Sequence, residues 1–441
     1  MPFTDEEPFL DTIFARYQDD GPRLMYADFL DDIGEPDRAE LVRVQVALAR
    51  LPEDDTRRPE LADRNAELHA AHSSEWQEHL SHLIAAAEFR RGVLDSVSVD
   101  AEAFLTNGAE LFRLARVRRL RLLDATSVME RLIESPQLAM VRELDLCGND
   151  LGNGGLNLLI RSPFLKHLDE LDLGFNGIDD AGLEALAKAS TLVNLTSLLL
   201  NDNAEITSNG VVGLADSPFF AGLTTLDFSG NDINELGVQS LAAEKAFPRL
   251  HTLRLKGNHF GDEGMAHLAN SPLLVRMLTR SPQLDFRQNG IGPDGAEALA
   301  GCPALTRCTS LDLSANYLAD RGFAALIASP NIGNVHTLKL GGNQIADAAV
   351  SAVRDHLPEL MARLRVLDLS GNRLTRYGIG VLHGARGESG VKLDVADNVQ
   401  ATNGGEVPVS IGDVTSAALR GMREAAEMRR RISHPQTLPN S

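Results

Sequence analysis

The stretch LRVLDLSGNRL, residues 364–374, decides the fold, because its pattern returns along most of the chain. Ten copies can be aligned on their asparagine, and these are Asn149, Asn176, Asn203, Asn231, Asn258, Asn289, Asn316, Asn343, Asn372 and Asn398. Successive asparagines lie 27, 27, 28, 27, 31, 27, 27, 29 and 26 positions apart. A nearly fixed period in this range predicts a solenoid of stacked units.

The order of apolar and polar residues in one unit follows from the geometry of an extended chain. Leu367 and Leu369 are two positions apart, so both side chains face the core, whereas Asp368 faces the other side. The Asn372 carboxamide can both donate and accept, which suits a buried bend. The Ala- and Leu-rich stretch after each asparagine, such as residues 177–190, has helical spacing, and Asp179 or Asp180 can cap that helix. Parallel strands stack about 4.8 Å apart and helices about 8 to 10 Å apart, so the stack is predicted to curve with its strands inside.

Two weaker copies precede the ten, ending at Ala125 and Glu102, and both lack the asparagine. The array is therefore predicted to have about twelve turns, with the first two acting as caps. The longest interval, from Asn258 to Asn289, contains two Ser-Pro pairs. Because Pro ends helices, the extra residues are predicted to bulge on the helical side, either as a structural irregularity or as a partner-specific insertion.

The LxxLxLxxN pattern resembles the leucine-rich repeat, and its length resembles the ribonuclease-inhibitor-like subclass of that repeat. The resemblance implies an α/β horseshoe solenoid, with a parallel sheet on the concave face and helices on the convex face. An N-terminal α-helical cap is expected to precede it.

The N-terminal residues 1–90 carry no repeat and hold 21 acidic and 9 basic side chains, a net charge of -12. Residues 21–51 have the pattern of two helices. Gly34 lies near the predicted end of the first helix, and Asp37 with Glu40 resembles a capping box for the second.

The same region resembles the repeat-companion domain found at the N-terminus of many bacterial leucine-rich-repeat proteins. The resemblance is carried by Pro22, Arg23, Leu24, Tyr26, Ala27, Asp28, Leu30, Gly34, Pro36, Arg38, Ala39, Glu40, Arg43 and Gln45. We expect an acidic helical companion or capping domain at 1–90, the solenoid at 91–400, and a C-terminal cap helix with a disordered tail at 401–441.

Composition narrows the classes of function. The net charge of -20 argues against binding a phosphate backbone, so no nucleic acid is expected as partner. Cys147, Cys302 and Cys308 form no CxxC pair, which favours a reducing compartment over a disulfide framework or zinc knuckle. The chain has neither a secretory n-region nor a long apolar run, so no membrane association and a cytoplasmic location are expected.

Catalytic and metal chemistry find little support in the pattern. His72 and His79 lie near Trp76, which could be a metal site or, more simply, a solvated helix beside a core aromatic. Acidic neighbours should raise the thiol pKa of Cys147, which disfavours a nucleophile. No phosphate-binding GxxxxGK motif occurs. We therefore expect no enzyme activity and no cofactor.

The exposed positions of the strands are the remaining candidates for function. The predicted partner-binding residues are Asp145, Asp172, Asp227, Arg254, Lys256, Asp285, Arg287, Asp312, Lys339 and Asp368. They form an acidic row with a positive island around Arg254, Lys256 and Arg287. Either the aspartates simply belong to the repeated pattern and remain solvated, or they bind a basic protein.

Exposed aromatic anchors are few, with Phe175, Tyr317 and Tyr377 as candidates. The expected function is a non-enzymatic scaffold that binds a macromolecular partner on the concave face. The alternative is a regulatory subunit that inhibits a partner enzyme by covering it. The oligomeric state stays open.

Overall fold

The computed structural model describes residues 5–51 and 55–398, and the predicted C-terminal segment at 401–441 lies outside these ranges. The helices are α1 Glu7–Ala15, α2 Gly21–Asp32, α3 Pro36–Arg50, α4 Arg58–Trp76, α5 Ala101–Leu114, α6 Met129–Leu132, α7 Gly152–Leu159, α8 Asp180–Leu186, α9 Ser208–Ala215, α10 Glu235–Ala242, α11 Gly261–Ala269, α12 Pro272–Arg280, α13 Pro293–Ala300, α14 Ala319–Ala328, α15 Asp347–Ala352, α16 Leu357–Arg363 and α17 Arg376–Arg386. The strands are β1 Ala86–Arg90, β2 Val93–Asp100, β3 Arg119–Leu123, β4 Glu143–Asp145, β5 Glu170–Asp172, β6 Ser197–Leu199, β7 Thr225–Asp227, β8 Thr252–Arg254, β9 Gln283–Asp285, β10 Ser310–Asp312, β11 Thr337–Lys339, β12 Val366–Asp368 and β13 Lys392–Asp394.

The N-terminal helices pack around a small core of their own. Ile13, Tyr26, Leu30 and Val42 are buried together there. The buried carboxylate of Glu6 accepts a hydrogen bond of 2.6 Å from the Tyr26 hydroxyl, and the Arg38 guanidinium donates to both its oxygens at 2.9 and 3.0 Å. This pairing compensates the cost of burying the charge.

The predicted capping box of α3 is wrong. Helix α3 begins at Pro36, so Glu35 is the N-cap residue and Asp37 already lies in the first turn. Proline favours the first helical position because its missing N–H is not needed there. Glu40 instead pairs with Arg64 of α4 at 2.6 Å. Gly34, with φ of 88°, ends α2 in the left-handed conformation that glycine tolerates.

A β-hairpin joins the helical region to the repeats. Strand β1 pairs antiparallel with β2 through the two-residue turn Arg91-Gly92, where both residues have positive φ, and β2 then pairs parallel with β3. The turn packs on α3, because the Gly92 N–H donates to the Gln45 side-chain oxygen at 2.7 Å. The Tyr17 hydroxyl adds a second link, donating to the buried Asp95 of β2 at 2.8 Å.

The repeats stack in register through the predicted leucines. The central leucines of neighbouring strands pair directly, as Leu311 does with Leu284 and Leu338. The strands form two sheets, one of eight strands from β1 to β8 and one of five strands from β9 to β13. The division between β8 and β9 falls in the longest interval, which carries a second helix, α12, after α11 on the helical side. One continuous hydrophobic core runs beneath both sheets.

An internal asparagine ladder connects successive units, and its members lie at the buried bends that the sequence predicts. Asn316, which is only 1% exposed, donates from Nδ2 to the carbonyls of Phe286 and Leu313, both at 2.9 Å. Its Oδ1 accepts from the N–H groups of Asn289 and Ile291 at 2.9 and 3.0 Å. Each asparagine of this kind thus satisfies backbone groups of its own unit and of the preceding one, where no strand partner is present.

The helical side is tied together by polar contacts at helix ends. Asp179 caps α8 by accepting from Ala181 and Gly182 N–H groups at 2.7 and 3.2 Å. The serines of several Ser-Pro pairs donate to a carbonyl of the preceding repeat, and the Ser162 hydroxyl does so to Ile133 at 2.6 Å. Cys302 replaces such a serine, and its Sγ lies 3.1 Å from the carbonyl oxygen of Ala269.

Candidate partner-binding face

The candidate residues lie in columns that cross the sheets, and we call the surface they form the sheet face. The register places the central exposed positions in two continuous rows, which are Arg121, Asp145, Asp172, Leu199, Asp227 and Arg254, followed by Asp285, Asp312, Lys339, Asp368 and Asp394. Lys256 and Arg287 lie in the next exposed column, where the N–H of Gly257 donates to the Arg287 carbonyl at 2.9 Å. Main-chain contact therefore continues across the division between the sheets.

Each aspartate of the central column has a structural role that the sequence interpretation missed. One oxygen of each accepts the backbone N–H two residues later, at 2.9 to 3.1 Å. The seven aspartates concerned are Asp145, Asp172, Asp227, Asp285, Asp312, Asp368 and Asp394. This local bond is an Asx-type turn, and it satisfies a donor where the strand ends. The order Asp-x-x after the central leucine was a signal that could have revealed it.

Arg118 and Arg119, at the start of β3, pair with acidic side chains of the two repeats that follow. Arg119 lies 3.3 Å from Asp145, 3.4 Å from Glu170 and 3.9 Å from Asp172. Neither Arg119 nor its neighbour Arg118 was among the predicted site residues. Alignment of the strands places Arg119 directly beside Glu143, so the signal was present in the sequence.

Arg118 connects this end of the sheet face with the N-terminal helices. Its guanidinium donates to Glu143 and Asp169, both at 2.7 Å, and lies 4.3 Å from the centre of the Tyr17 ring. Burial, followed by the charge and hydrogen bond of Asp95, raises the pKa of Tyr17 to about 12. The hydroxyl therefore stays protonated and donates its hydrogen bond at neutral pH.

The aspartates were expected to be exposed, and this expectation is wrong for most of them. The side chains of Asp145, Asp172, Asp227 and Asp312 are only 10 to 13% exposed. Burial, reinforced by the nearby Asp145 charge, raises the pKa of Asp172 to about 6. Carboxylates that bend back to a turn N–H and toward a neighbouring cation cannot project toward a partner.

The charged side chains that do project near the centre of the sheet face are mainly basic. We call Arg254, Lys256, Arg287 and Lys339 the basic cluster. The side chains of Arg254, Lys339 and Arg287 are 54, 44 and 37% exposed, and Lys256 is half-buried. Asp285, beside Arg287 at 2.6 Å, is 43% exposed and is the main accessible carboxylate among them.

The columns on either side of the central column are small and polar around this cluster. Before the central column stand Ser197, Thr225, Thr252, Gln283, Ser310 and Thr337, and after it stand Asn201, Ser229, Ser314, Gly341 and Ser370. Hydroxyl groups can both donate and accept hydrogen bonds. Because most of these side chains are shorter than those of Arg and Lys, the basic side chains rise above a low polar surface.

The predicted aromatic anchors differ in accessibility. Tyr317 and Tyr377 are 45 and 59% exposed, whereas Phe175 is half-buried with φ of 54°. Tyr317 follows Asn316, so it lies in the loop after β10, one repeat beyond Arg287.

The residues considered for metal binding or nucleophilic catalysis make ordinary structural contacts. His72 stacks on Trp76 with ring centres 5.2 Å apart and lies 3.3 Å from Asp37. Burial, with the charges of Asp172 and Asp145, raises the pKa of Cys147 to about 12, in the predicted direction. Over residues 5–51 and 55–398, no group of three or more His, Cys, Asp or Glu side chains is arranged to hold a metal ion. In the same ranges, no helix combines the length and apolar character needed to cross a membrane.

Comparison with known proteins agrees with the repeated unit. A family model described as Leucine Rich repeat matches residues 164–187, 223–242, 249–269 and 283–300, and a second of the same description matches residues 363–384. The chain contains leucine-rich repeats. The expected fold class, an α/β leucine-rich-repeat solenoid with an N-terminal helical region, is confirmed.

Among solved structures, the leucine-rich-repeat chain is similar to an internalin (inlF) from Listeria monocytogenes strain 4b F2365. The two are 18% identical with a TM-score of 0.34, and the match covers 64% of this chain and 90% of that chain. A likeness at this level carries no inference about function. No curated protein sequence matches the chain.

Proposed function

We propose that the chain is a non-enzymatic scaffold that binds a protein partner through its sheet face. The observation that carries the proposal is the regular set of exposed columns, held in register by strand pairing and the buried asparagine ladder. Leucine-rich repeats generally mediate protein–protein interaction, and a rigid stacked surface lets one partner contact many repeats at once.

A basic partner is supported less well than the sequence indicated. The carboxylates of Asp145 and Asp312 are buried and engaged with turn N–H groups and neighbouring cations. Desolvated charges that already have partners offer little to an incoming cation. The accessible polar groups near the centre of the sheet face are instead mainly hydroxyl groups and the basic cluster, with Asp285 as the main accessible carboxylate.

The remaining parts of the proposal concern location and the N-terminal region. We place the protein in the cytoplasm, which is supported by the three free cysteines Cys147, Cys302 and Cys308. We assign residues 1–90 as a repeat-companion domain that covers the first repeats. The contacts of Tyr17 with Asp95 and Arg118 support this assignment.

Site-directed photo-crosslinking tests the binding face. A photoreactive amino acid is introduced at Thr225 or Thr337 on the sheet face, and at Lys188 or Leu236 on the helical face. In native lysate we expect the same protein adduct from both sheet-face positions and none of it from the helical positions. Adducts formed only at Lys188 or Leu236 would move the binding site to the helical face and overturn the proposal.

The regulatory alternative predicts one further property of the crosslinked partner. If the partner is an enzyme that the chain inhibits, its activity should fall in proportion to the added chain and reach zero at saturation. A scaffold leaves that activity unchanged although the complex forms. Mixing the purified proteins and measuring both binding and turnover separates the two functions.

A further inference from the structure

The basic cluster lies beside the division between the two sheets, where Asp285, paired with Arg287 at 2.6 Å, is the main accessible carboxylate. We propose that Arg254, Lys256, Arg287 and Lys339 form the docking site for an acidic, extended segment of the protein partner. This inference rests on the proposed function, since it names the chemistry of the partner that the sheet face takes.

The geometry fits an extended chain that runs across the strands. Arg254 and Lys256 belong to the repeat of β8, Arg287 to that of β9 and Lys339 to that of β11. Three strand spacings of about 4.8 Å separate the first and last of these repeats, a distance that about five extended residues span. The four cations occupy two neighbouring columns, two residues apart along the strands, so they can contact alternate side chains of one short segment.

The charges favour an acidic occupant because of their height above the surface. Arg254 and Lys339 each have a carboxylate near the base of the side chain, with Arg254 3.4 Å from Asp227 and Lys339 3.5 Å from Asp312. Those two carboxylates are only 13 and 10% exposed and each also accepts a turn N–H. An approaching chain therefore meets the guanidinium and ammonium groups first.

Short polar side chains around the cluster suit the backbone of such a segment. Thr252, Ser310 and Thr337 are half-buried in the column beside the central one. Their hydroxyl groups can pair with peptide N–H and C=O groups while the basic cluster pairs with side-chain carboxylates. The exposed Tyr317, one repeat beyond Arg287, supplies an aromatic surface at the rim.

Two other acidic occupants fit less well. A nucleic acid would approach a chain of net charge -20, and its backbone would be repelled beyond the cluster. A second copy could offer its acidic residues 1–90, but several carboxylates there are already paired, as Glu40 is with Arg64 and Asp28 with Arg43.

The test measures binding of a fluorescent peptide of about ten residues that alternates Glu and Ser. We expect saturable binding to the full chain, with an affinity that falls as salt rises. Replacing Arg254→Ala together with Lys339→Ala should weaken binding by about tenfold, because two exposed charge contacts are lost. The control variant Lys188→Ala with Arg321→Ala removes two exposed cations from the helical side and should change the affinity by less than about twofold.

Defined outcomes overturn the proposal. These are no binding of the Glu-Ser peptide, tighter binding of the matched Lys-Ser peptide or of a single-stranded RNA, or equal weakening in the control variant. Self-association that the Arg254→Ala and Lys339→Ala variant abolishes, measured by sedimentation, would identify a second copy as the occupant instead. If only the peptide test fails while crosslinks from Thr225 and Thr337 persist, the sheet face remains the binding surface. If the peptide test and those crosslinks both fail, the proposed docking site and the proposed function are both wrong.

Discussion

At the scale of single residues, asparagine and aspartate have different hydrogen-bonding roles in the same repeated pattern. The asparagines are buried and join backbone groups of two successive repeats, as Asn316 does with Asn289 and Phe286. The aspartates lie on the sheet face and accept an N–H only two residues away, as the buried Asp312 does from Ser314. The first role depends on stacking, whereas the second is local.

The substitution Asn316→Ala should strongly destabilise the protein. It leaves the carbonyls of Phe286 and Leu313 and the N–H groups of Asn289 and Ile291 without this buried partner. Unsatisfied buried groups cost about 1 to 3 kcal/mol each, so we expect a loss of at least about 3 kcal/mol in the free energy of unfolding. Urea denaturation followed by circular dichroism measures it.

The exposed Asn194 provides the control for this change. Its Nδ2 donates to the Lys166 carbonyl at 2.7 Å in a solvated position, where water can replace the bond. Asn194→Ala should cost less than about 1 kcal/mol. Equal losses of unfolding free energy in the two variants would show that a buried asparagine of the ladder stabilises the protein no more than an exposed one.

The substitution Asp172→Asn should reduce the pH dependence of stability. Folding raises the pKa of Asp172 from 3.8 to about 6, so the folded chain holds this proton more tightly than the unfolded chain. The resulting stabilisation is complete below about pH 4 and is lost as pH rises through about 6. An Asn side chain keeps an acceptor for the Gly174 N–H but does not titrate, so the variant should gain about 1 to 2 kcal/mol relative to the native chain at pH 7.5.

Urea midpoints of native and variant chains across pH 4.5 to 7.5 test this expectation. The control is Asp394→Asn, which alters the same turn position on the exposed last strand. An equal change of the pH profile in both variants would show that the burial of Asp172 is not the cause. A constant difference between the Asp172→Asn and native profiles at every pH would contradict the proposed titration.

At the scale of elements, the β1–β2 hairpin is the joint between the helical region and the repeats. Its turn packs so closely on α3 that a Cβ at Gly92 would lie 2.2 Å from the Cα of Val42. Gly92 also has φ of 81°, which other residues adopt at a cost. The parallel pairing of β2 with β3 continues this hairpin into the solenoid.

The substitution Gly92→Ala should separate the hairpin from α3. We expect a loss of about 3 kcal/mol, since backbone must move to admit the methyl group. Trp76 is the single tryptophan and lies 5.9 Å from the Phe89 ring of β1, so its fluorescence reports on this region. Gly148→Ala is the matched control, because its φ is 76° but nothing lies within 4 Å of the added Cβ. If both variants lose the same stability, close packing at Gly92 is not the cause.

At the scale of the whole solenoid, the division between β8 and β9 separates two strand ladders above one core. Stacked repeats contact mainly their neighbours, so unfolding that begins in one repeat extends along the stack until it reaches a weaker contact between repeats. In the longest repeat, with both α11 and α12 on its helical side, the regular strand pairing is interrupted and few main-chain bonds, such as that from Gly257 N–H to the Arg287 carbonyl, cross between β8 and β9.

The substitution Leu338→Ala should therefore affect the two ladders unequally. Leu338 is fully buried in β11, and truncation of such a leucine costs about 2 to 5 kcal/mol. Hydrogen exchange should show lost protection in β10 to β12 while β4 to β6 keep theirs. The reciprocal variant Leu171→Ala in β5 should show the opposite pattern. Uniform loss of protection in either variant would contradict two separately opening ladders.

The sequence by itself determined the repeated unit of this protein. The alternation around Leu367 and Leu369, the asparagine at each bend and the nearly constant period all act over a few residues or one repeat length. Strand, bend and helix follow from such short-range chemistry. The position of the candidate columns on the sheet face could also be predicted, because register follows from aligned leucines.

Only the tertiary structure decided which charges of the sheet face reach solvent. Asp145 is buried by Arg119 from the preceding repeat and by its own turn, whereas Arg254 projects above Asp227. Asp145 and Arg254 hold the same position in their repeats, between the two core leucines of the strand. The difference arises because the side chains that neighbour each other across a parallel sheet come from different repeats, about 27 residues apart, and their packing and mutual charge set the exposure of each.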